Sequence, residues 1–430
     1  MIIKIRHRTD FEKIILGIFI TIFVEGIISI FLPQIHPIYY LTDLFNIILL
    51  VGLLKKGMRV KQKKSYLNYF YFVMSLYIAL TIIGAIINYS NIVLHLWSFR
   101  NYFTTILFFV ECVSFEHTDR INFLNTLAWI NFVVCLIEVA LGYRQDWVGG
   151  LYGISGGQVN GSLNILLIII FSESIVQYLN REISTLNILA VGVASLVIAT
   201  FAELKIFYVE VVFIFVLASL VTKFSFKKVI LVICGTVGVL VSIKYVFVVF
   251  PDIDKNMFTI SYMWNYLTNS GGYVGQFAHD AGDVNRLAFW DKCVALFQNK
   301  IELIFGFGIG NCDQVELIGL KSYIYIQHGA LHYYMFPLPM ILLQQGIAGM
   351  VLYISLFVTL FFAVLKKYKE KDYSVSKSQM QMTLILCIMA FVIIIYDTSL
   401  LGKGGYLFFY IMSLPFIKHT GEKRGHHCDS

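Results

Sequence analysis

The sequence predicts an all-α integral membrane protein with about 12 transmembrane helices, on three observations. Of 430 residues, 58% are hydrophobic and only 14% are charged, against roughly 45–50% and about 25% in soluble domains. The mean hydropathy is +0.76, so polar surface is too scarce to cover a water-soluble body. The apolar residues also fall into runs of about 20, the length a helix needs to cross a bilayer. Disorder is excluded by the same numbers, because Ile, Leu, Val, Phe and Tyr dominate.

In chain order the runs lie near 14–32, 37–54, 66–87, 93–114, 122–142, 159–177, 185–201, 205–222, 229–250, 340–365, 380–397 and 402–417. The weakest are 37–54, which holds Asp43, and 93–114, which holds Arg100. An even number of spans puts both termini on one side. With that side cytoplasmic, the inner segments carry 23 of the 33 Lys and Arg residues: the N-terminal arm, 55–64, Arg120, Arg181, 223–228, 366–377 and the tail. This bias sets the orientation of polytopic proteins. The net charge of +7 is therefore a topology signal, not a sign of nucleic-acid binding. The chain reads as one polytopic domain, 1–430, with one large external loop, 251–332, before the tenth span. No repeat relates its two halves, which counts against many transporter folds.

Within the loop, 284–299 (VNRLAFWDKCVALFQN) sets Leu287, Trp290, Val294 and Phe297 at helical spacing, with Arg286, Asp291, Lys292 and Gln298 between them. That pattern suits a helix lying on the membrane surface. Gly306, Gly308 and Gly310 then break any regular element, and His328 and His332 precede the return into the bilayer. Gly346 and Gly349 follow in QQGIAGM. The seven cysteines are scattered without metal-ligand spacing. Cys293 and Cys312 share the loop, where a disulfide and two free thiols are both open readings.

An Arg with a Trp four residues on (Arg286, Trp290), an apolar stretch ending in GFGIG, and a His ahead of a span opening with G-I-x-G form an ordered set. Over 286–349, and in its span pattern, the chain resembles the O-antigen polymerase and O-antigen ligase superfamily. It departs from that pattern in the Tyr333 that follows His332, where the family often has Asn, and in a longer spacing from His to Gly. In ATFAELK, Lys205 is a loose counterpart of a cation that the family carries at the outer end of the seventh span. The resemblance implies a glycosyltransferase of the bacterial cytoplasmic (inner) membrane. Its substrate would be an undecaprenyl-diphosphate-linked oligosaccharide, polymerised at the outer face into O-antigen, capsule or exopolysaccharide. A chain-length regulator is the implied partner, beside the lipid bilayer itself, and no cofactor is implied. The alternatives are a ligase that moves finished glycan to a lipid core, and a flippase or other carrier of lipid-linked oligosaccharide.

Expelling a polyprenyl diphosphate needs cations where charge accumulates on its oxygens, and the planar fork of Arg matches phosphate best. Arg286, Arg100 and Lys205 are the candidates. Their ordinary alternatives are a headgroup anchor, a snorkelling anchor and an ion pair with Glu203, respectively. The acceptor hydroxyl needs a base, for which His is usual near neutral pH. His332 or His328 fits that role, with His95 and His279 behind them. No metal is demanded, and HxxxH offers two ligands without a third. Glu25, Asp43, Glu111, Glu138, Glu173, Glu210, Asp397 and Lys244 lie within apolar runs, where charges mark functional sites or span ends. Such acids suit a carrier equally well. Arg144 belongs to a Gly-rich loop (RQDWVGGLYGISGGQVNG) that reads as an acceptor groove or a plain connector.

Overall fold

Apolar runs become helices because hydrocarbon offers no partner for backbone N–H and C=O groups, which a helix pairs within one segment. The structure, a computed structural model, describes residues 9–32, 38, 40–56, 66–89, 91–115, 124–154, 159–222, 286–287, 289–315, 318–371 and 375–417, with single positions 235, 238, 244 and 261. The N-terminal part holds α1 (Asp10–Phe31), α2 (Tyr40–Lys56), α3 (Asn68–Ile87), α4 (Ile92–Ser114), α5 (Leu124–Ala140), α6 (Asn160–Leu179), α7 (Thr185–Phe201) and α8 (Lys205–Val221). Two short helices follow, α9 (Phe289–Val294) and α10 (Lys300–Phe305). Next comes an antiparallel ribbon of β1 (Gln314–Val315) and β2 (Leu320–Lys321), with Gln314 opposite Lys321. The chain closes with α11 (Tyr323–His328), α12 (Pro337–Lys369), α13 (Lys377–Tyr396) and α14 (Lys403–Ser413).

Apart from that ribbon the described chain is helical, and helices occupy eleven of the twelve apolar runs. The ninth run, 229–250, falls almost wholly outside the described residues, as do most of the basic arms. Five helices, α1, α3, α6, α12 and α13, are long and apolar enough to cross a membrane. Local signals set their ends. Thr9 and Glu12 form a reciprocal cap on α1, and the Asn91 side chain accepts the Val93 and Leu94 N–H groups at the start of α4. Among the described helices of these runs, that of the last, 402–417, is the shortest. The run holds an 11-residue helix and a 3₁₀ turn, and at about 1.5 Å per residue such a helix covers roughly half the hydrocarbon core. Every residue from Gly404 to Ser413 is buried, so α14 is an internal helix packed against α4 and α6 rather than a lipid-facing one.

The glycines of the outer loop do more than interrupt it. α12 breaks at Gly346, which adopts φ 65° and ψ −168°. Gly306 adopts φ 75° and ψ −178°, and only glycine tolerates this region. The break separates the Leu343 and Gln344 carbonyls from helical partners, and the loop replaces them: Phe307 N–H donates to Leu343 O at 2.8 Å and Gly308 N–H to Gln344 O at 3.0 Å. The two backbones touch. A Cβ on Gly346 would lie 2.3 Å from the Ile304 carbonyl carbon, and one on Gly306 would lie 2.4 Å from that of Gln344. Gly310 (φ 90°) presses in the same way on the backbone of Leu94 and His95 in α4. The described part of the loop is thereby docked on α12 and α4.

The expected surface helix over 284–299 is shorter in the structure. α9 covers Phe289–Val294, and Asn299, whose side chain accepts Glu302 N–H, starts a new helix. Phe289 and Cys293 face inward, while Leu287 and Trp290 stay at the surface. Cys293 and Cys312 are buried free thiols in one cluster with Tyr333, Leu342 and Leu343, so the disulfide is not formed.

Gly346→Ala and Gly306→Ala are expected to lower the melting temperature of the detergent-solubilised protein. Each carries a strain of about 1–3 kcal/mol plus the backbone clash. Gly84→Ala, where a Cβ meets nothing within 4 Å, serves as the control and should melt at or slightly above the wild type.

Candidate functional site

The site is built on the turn 397–402 between α13 and α14. α13 stops where Asp397 turns extended, and its Oδ1 accepts both Ser399 N–H, at 2.8 Å, and the Ser399 hydroxyl. Three helices hold this turn and the helix that follows it. Thr105 Oγ1 of α4 donates to Leu400 O at 2.9 Å, and Gly404 N–H donates to Ser162 Oγ of α6 at 3.0 Å. Asn46 Nδ2 of α2 donates to the Tyr406 hydroxyl at 2.6 Å. Gly161, in the first turn of α6, lies so close that a Cβ there would sit 1.8 Å from Ser399 Oγ and 2.4 Å from Asp397 Oδ2.

Of the three cations expected to hold a diphosphate, Arg286 meets this turn directly, Arg100 shares α4 with Thr105, and Lys205 stands on α8. Arg286 donates from Nε to Tyr396 O at 3.1 Å, and its guanidinium lies 4.4 Å from the Tyr396 ring and 4.8 Å from the Phe336 ring. Its charge also acts on the Asp397 carboxylate. Arg100, on α4 between one and two turns before Thr105, pairs with Asp43 at 2.9 Å and lies 5.0 Å from the Trp97 ring. It also donates to Asn101 Oδ1 at 3.0 Å. Asn101 bonds in turn to Asp313 of the outer loop, which accepts the Ser98 hydroxyl at 2.6 Å. Burial pushes the Asp313 carboxyl above its ordinary range, opposed by the bonds from Ser98, Gln314 N–H and Asn101.

Lys205, at the start of α8, pairs with Glu203 at 2.9 Å, the arrangement named above as its ordinary alternative. Asp146 completes this group through Asn160, whose Nδ2 donates to it at 2.7 Å. Burial raises the Asp146 pKa and Glu203 raises it further, while Lys205 and the Asn160 bond lower it. The first turn of α6 thus meets two acids, Asp397 close against Gly161 and Asp146 bonded to Asn160.

A fourth cation, Lys403, escaped the sequence reading. It opens α14 and pairs with Glu25 of α1 at 2.6 Å. Its signal was a lysine inside an apolar run, LGKGGYLFFY, the same signal that drew attention to the acids.

The histidines sit on the docked loop. His328 ends α11 and His332 takes a left-handed conformation at φ 50°. A 3₁₀ turn from Gly329 to Leu331 separates them, so they do not share the helical face that HxxxH suggests. The His332 ring lies edge-on to Tyr334 at 5.8 Å, and Phe336, four residues on, is a ring over which Arg286 lies. Among the described residues no group of three or more His, Cys, Asp or Glu side chains gathers. His279, Asp280 and Asp283 lie outside the described residues, and Lys244 is exposed.

The Gly-rich loop is a packed element rather than a slack connector. Glu138 Oε2 accepts Gly150 N–H at 2.8 Å, Asn131 Oδ1 accepts Leu151 N–H at 3.0 Å, and Ile154 N–H donates to Ser29 Oγ at 3.2 Å. Arg144 caps the end of α5 through the Val139 and Tyr143 carbonyls, a role suited to a cation at a helix C-terminus. Glu210 is held by Asn164 Nδ2 at 2.8 Å, and Glu173 accepts from Gln177 at 3.2 Å.

Arg100, Lys205 and Lys403 thus each pair with a carboxylate, with which an anionic ligand would compete. The chain matches no family model and no curated protein.

A double-mutant cycle checks the Arg100–Asp43 pair. Arg100→Gln alone should destabilise the protein by leaving Asp43 partly buried without its cation, and Arg100→Gln with Asp43→Asn should recover most of the loss. The expected coupling is about 1–2 kcal/mol in thermal or denaturant unfolding.

Proposed function

We propose that the protein is a metal-independent, inverting membrane glycosyltransferase that polymerises undecaprenyl-diphosphate-linked oligosaccharide repeats at the outer face of the bacterial cytoplasmic membrane. The observation that carries the reading is the meeting of Arg286 with the end of α13 at the 397–402 turn and with Phe336, four residues after His332. The resemblance in GFGIG and G-I-x-G supports it further, because the two motifs are in backbone contact through Gly306 and Gly346. The proposed topology has 12 spans with both termini cytoplasmic, and a chain-length regulator is the proposed protein partner.

In this mechanism the donor diphosphate lies against Arg286, with Arg100 and Lys205 as outer cations. The acceptor sugar hydroxyl gives its proton to His332, or to His328, as its oxygen attacks the anomeric carbon from the face opposite the leaving group. The bond from that carbon to the diphosphate oxygen breaks, the electron pair leaves with the diphosphate, and the configuration inverts. Cations fixed before the reaction need no reorganisation as charge develops, which is where such sites gain most of their rate. A base contributes roughly 10²–10⁴-fold.

The test uses purified protein and lipid-linked repeat units. Wild type should yield a ladder of polymers. Arg286→Ala and His332→Ala should each lose it, with rates down by about 10²-fold or more, while expression and melting are retained. An intact ladder from both variants overturns the site. A wild type that makes no ladder but moves the lipid-linked repeats across vesicles favours a carrier, and one that transfers finished polymer to a lipid core favours a ligase.

A further inference from the structure

We infer that Lys403 is a further ligand for the anionic head of the lipid-linked donor, neutralised by Glu25 of α1 until the donor takes its place; this rests on the glycosyltransferase reading above. Helix stability does not account for the lysine. It is the first residue of α14, where the positive end of the helix dipole disfavours a cation and favours an anion. A lysine there adds charge to charge, and it is tolerated because Glu25 meets it at 2.6 Å.

The two partners are unequally placed. The Glu25 side chain is 3% exposed and that of Lys403 is 22% exposed, so the lysine is the more accessible partner.

Lys403 is also linked to the other candidate cations through a few bonded contacts. It directly follows the turn whose Asp397 feels the Arg286 charge. Its neighbour Gly404 is bonded to Ser162, two residues from the Asn160 that holds Asp146 beside Lys205. One turn along α14, Tyr406 is bonded to Asn46, one turn from the Asp43 that pairs with Arg100. Short contact paths thus lead from Lys403 to all three cations of the proposed diphosphate site. An ammonium on a flexible stem acts as a point charge toward phosphate, and the diphosphate would take over the contact that Glu25 makes in its absence.

The test compares binding of undecaprenyl diphosphate and of undecaprenol to the full-length protein in detergent, by isothermal titration. Wild type should bind the diphosphate at least about tenfold more tightly, since charge-assisted bonds to phosphate are the strong ones. Lys403→Gln should weaken diphosphate binding by roughly tenfold or more and leave undecaprenol unchanged, while Lys403→Arg stays within about threefold. Glu25→Gln breaks the same ion pair but keeps the cation, and should bind the diphosphate as tightly as wild type or more so. A purely structural pair would instead make Lys403→Gln and Glu25→Gln weaken binding alike, and that result overturns the assignment.

Should Lys403→Gln fail to fold, the double variant Glu25→Gln/Lys403→Gln leaves no unmatched charge and carries the same expected loss; unchanged binding there also overturns the assignment. A wild type that does not prefer the diphosphate overturns the glycosyltransferase reading itself. Preserved preference with no effect at Lys403 overturns this assignment alone.

Discussion

Much of one end of the molecule depends on one break in one helix. At Gly346 the backbone of α12 leaves helical geometry, and the loop N–H groups of Phe307 and Gly308 take up the carbonyls that precede it. Unsatisfied backbone groups are costly away from water, so break and loop stabilise each other. The contact is possible because neither Gly306 nor Gly346 has a side chain at the point of approach. From it follow the position of Cys312 and Asp313, the tie of Asp313 to Ser98 on α4, and the packing of Tyr333 whose hydroxyl donates to Cys312 O. The segment that carries both histidines is held between these fixed points.

A second constraint organises charge. Arg100–Asp43, Lys205–Glu203 and Lys403–Glu25 are ion pairs, and Arg286 acts on Asp397. Bare cations in a bundle this apolar would be expensive, and paired ones much less so. In the proposed site, the cost of preorganising cations for an anion would be offset by carboxylates that the ligand displaces. Helix starts concentrate the arrangement: Lys205 opens α8, Lys403 opens α14, and Asn160 opens α6.

Helix positions were legible in the sequence because burial in hydrocarbon enforces long apolar runs, and eleven runs became helices. That the run 402–417 lies enclosed within the bundle was not legible, because an apolar helix enclosed by other helices and one facing lipid have the same composition. Arg286, Arg100 and Lys205 could be singled out as costly or outward charges, but their carboxylate partners come from tertiary contact, as with Asp43, 57 residues from Arg100. Lys403 was passed over because a lysine at the edge of an apolar run looks like a boundary marker. The spacing of His328 and His332 suggested a shared face, yet the left-handed turn at His332 has no signature beyond the preceding Gly329. The glycines were visible as breaks; that Gly306 meets Gly346 was not, because nothing local links positions 40 residues apart.

The central claim is that the end of the bundle around the 397–402 turn receives a polyprenyl diphosphate. The most direct measurement is photo-cross-linking with an undecaprenyl diphosphate that carries a diazirine next to its head group, read out by peptide mass spectrometry. Adducts are expected in the segments around Arg286, Gly161 and Lys205, and in 396–404. Adducts confined to the opposite end, where Asn180 bonds to Ser378 and Gln381, would contradict the account.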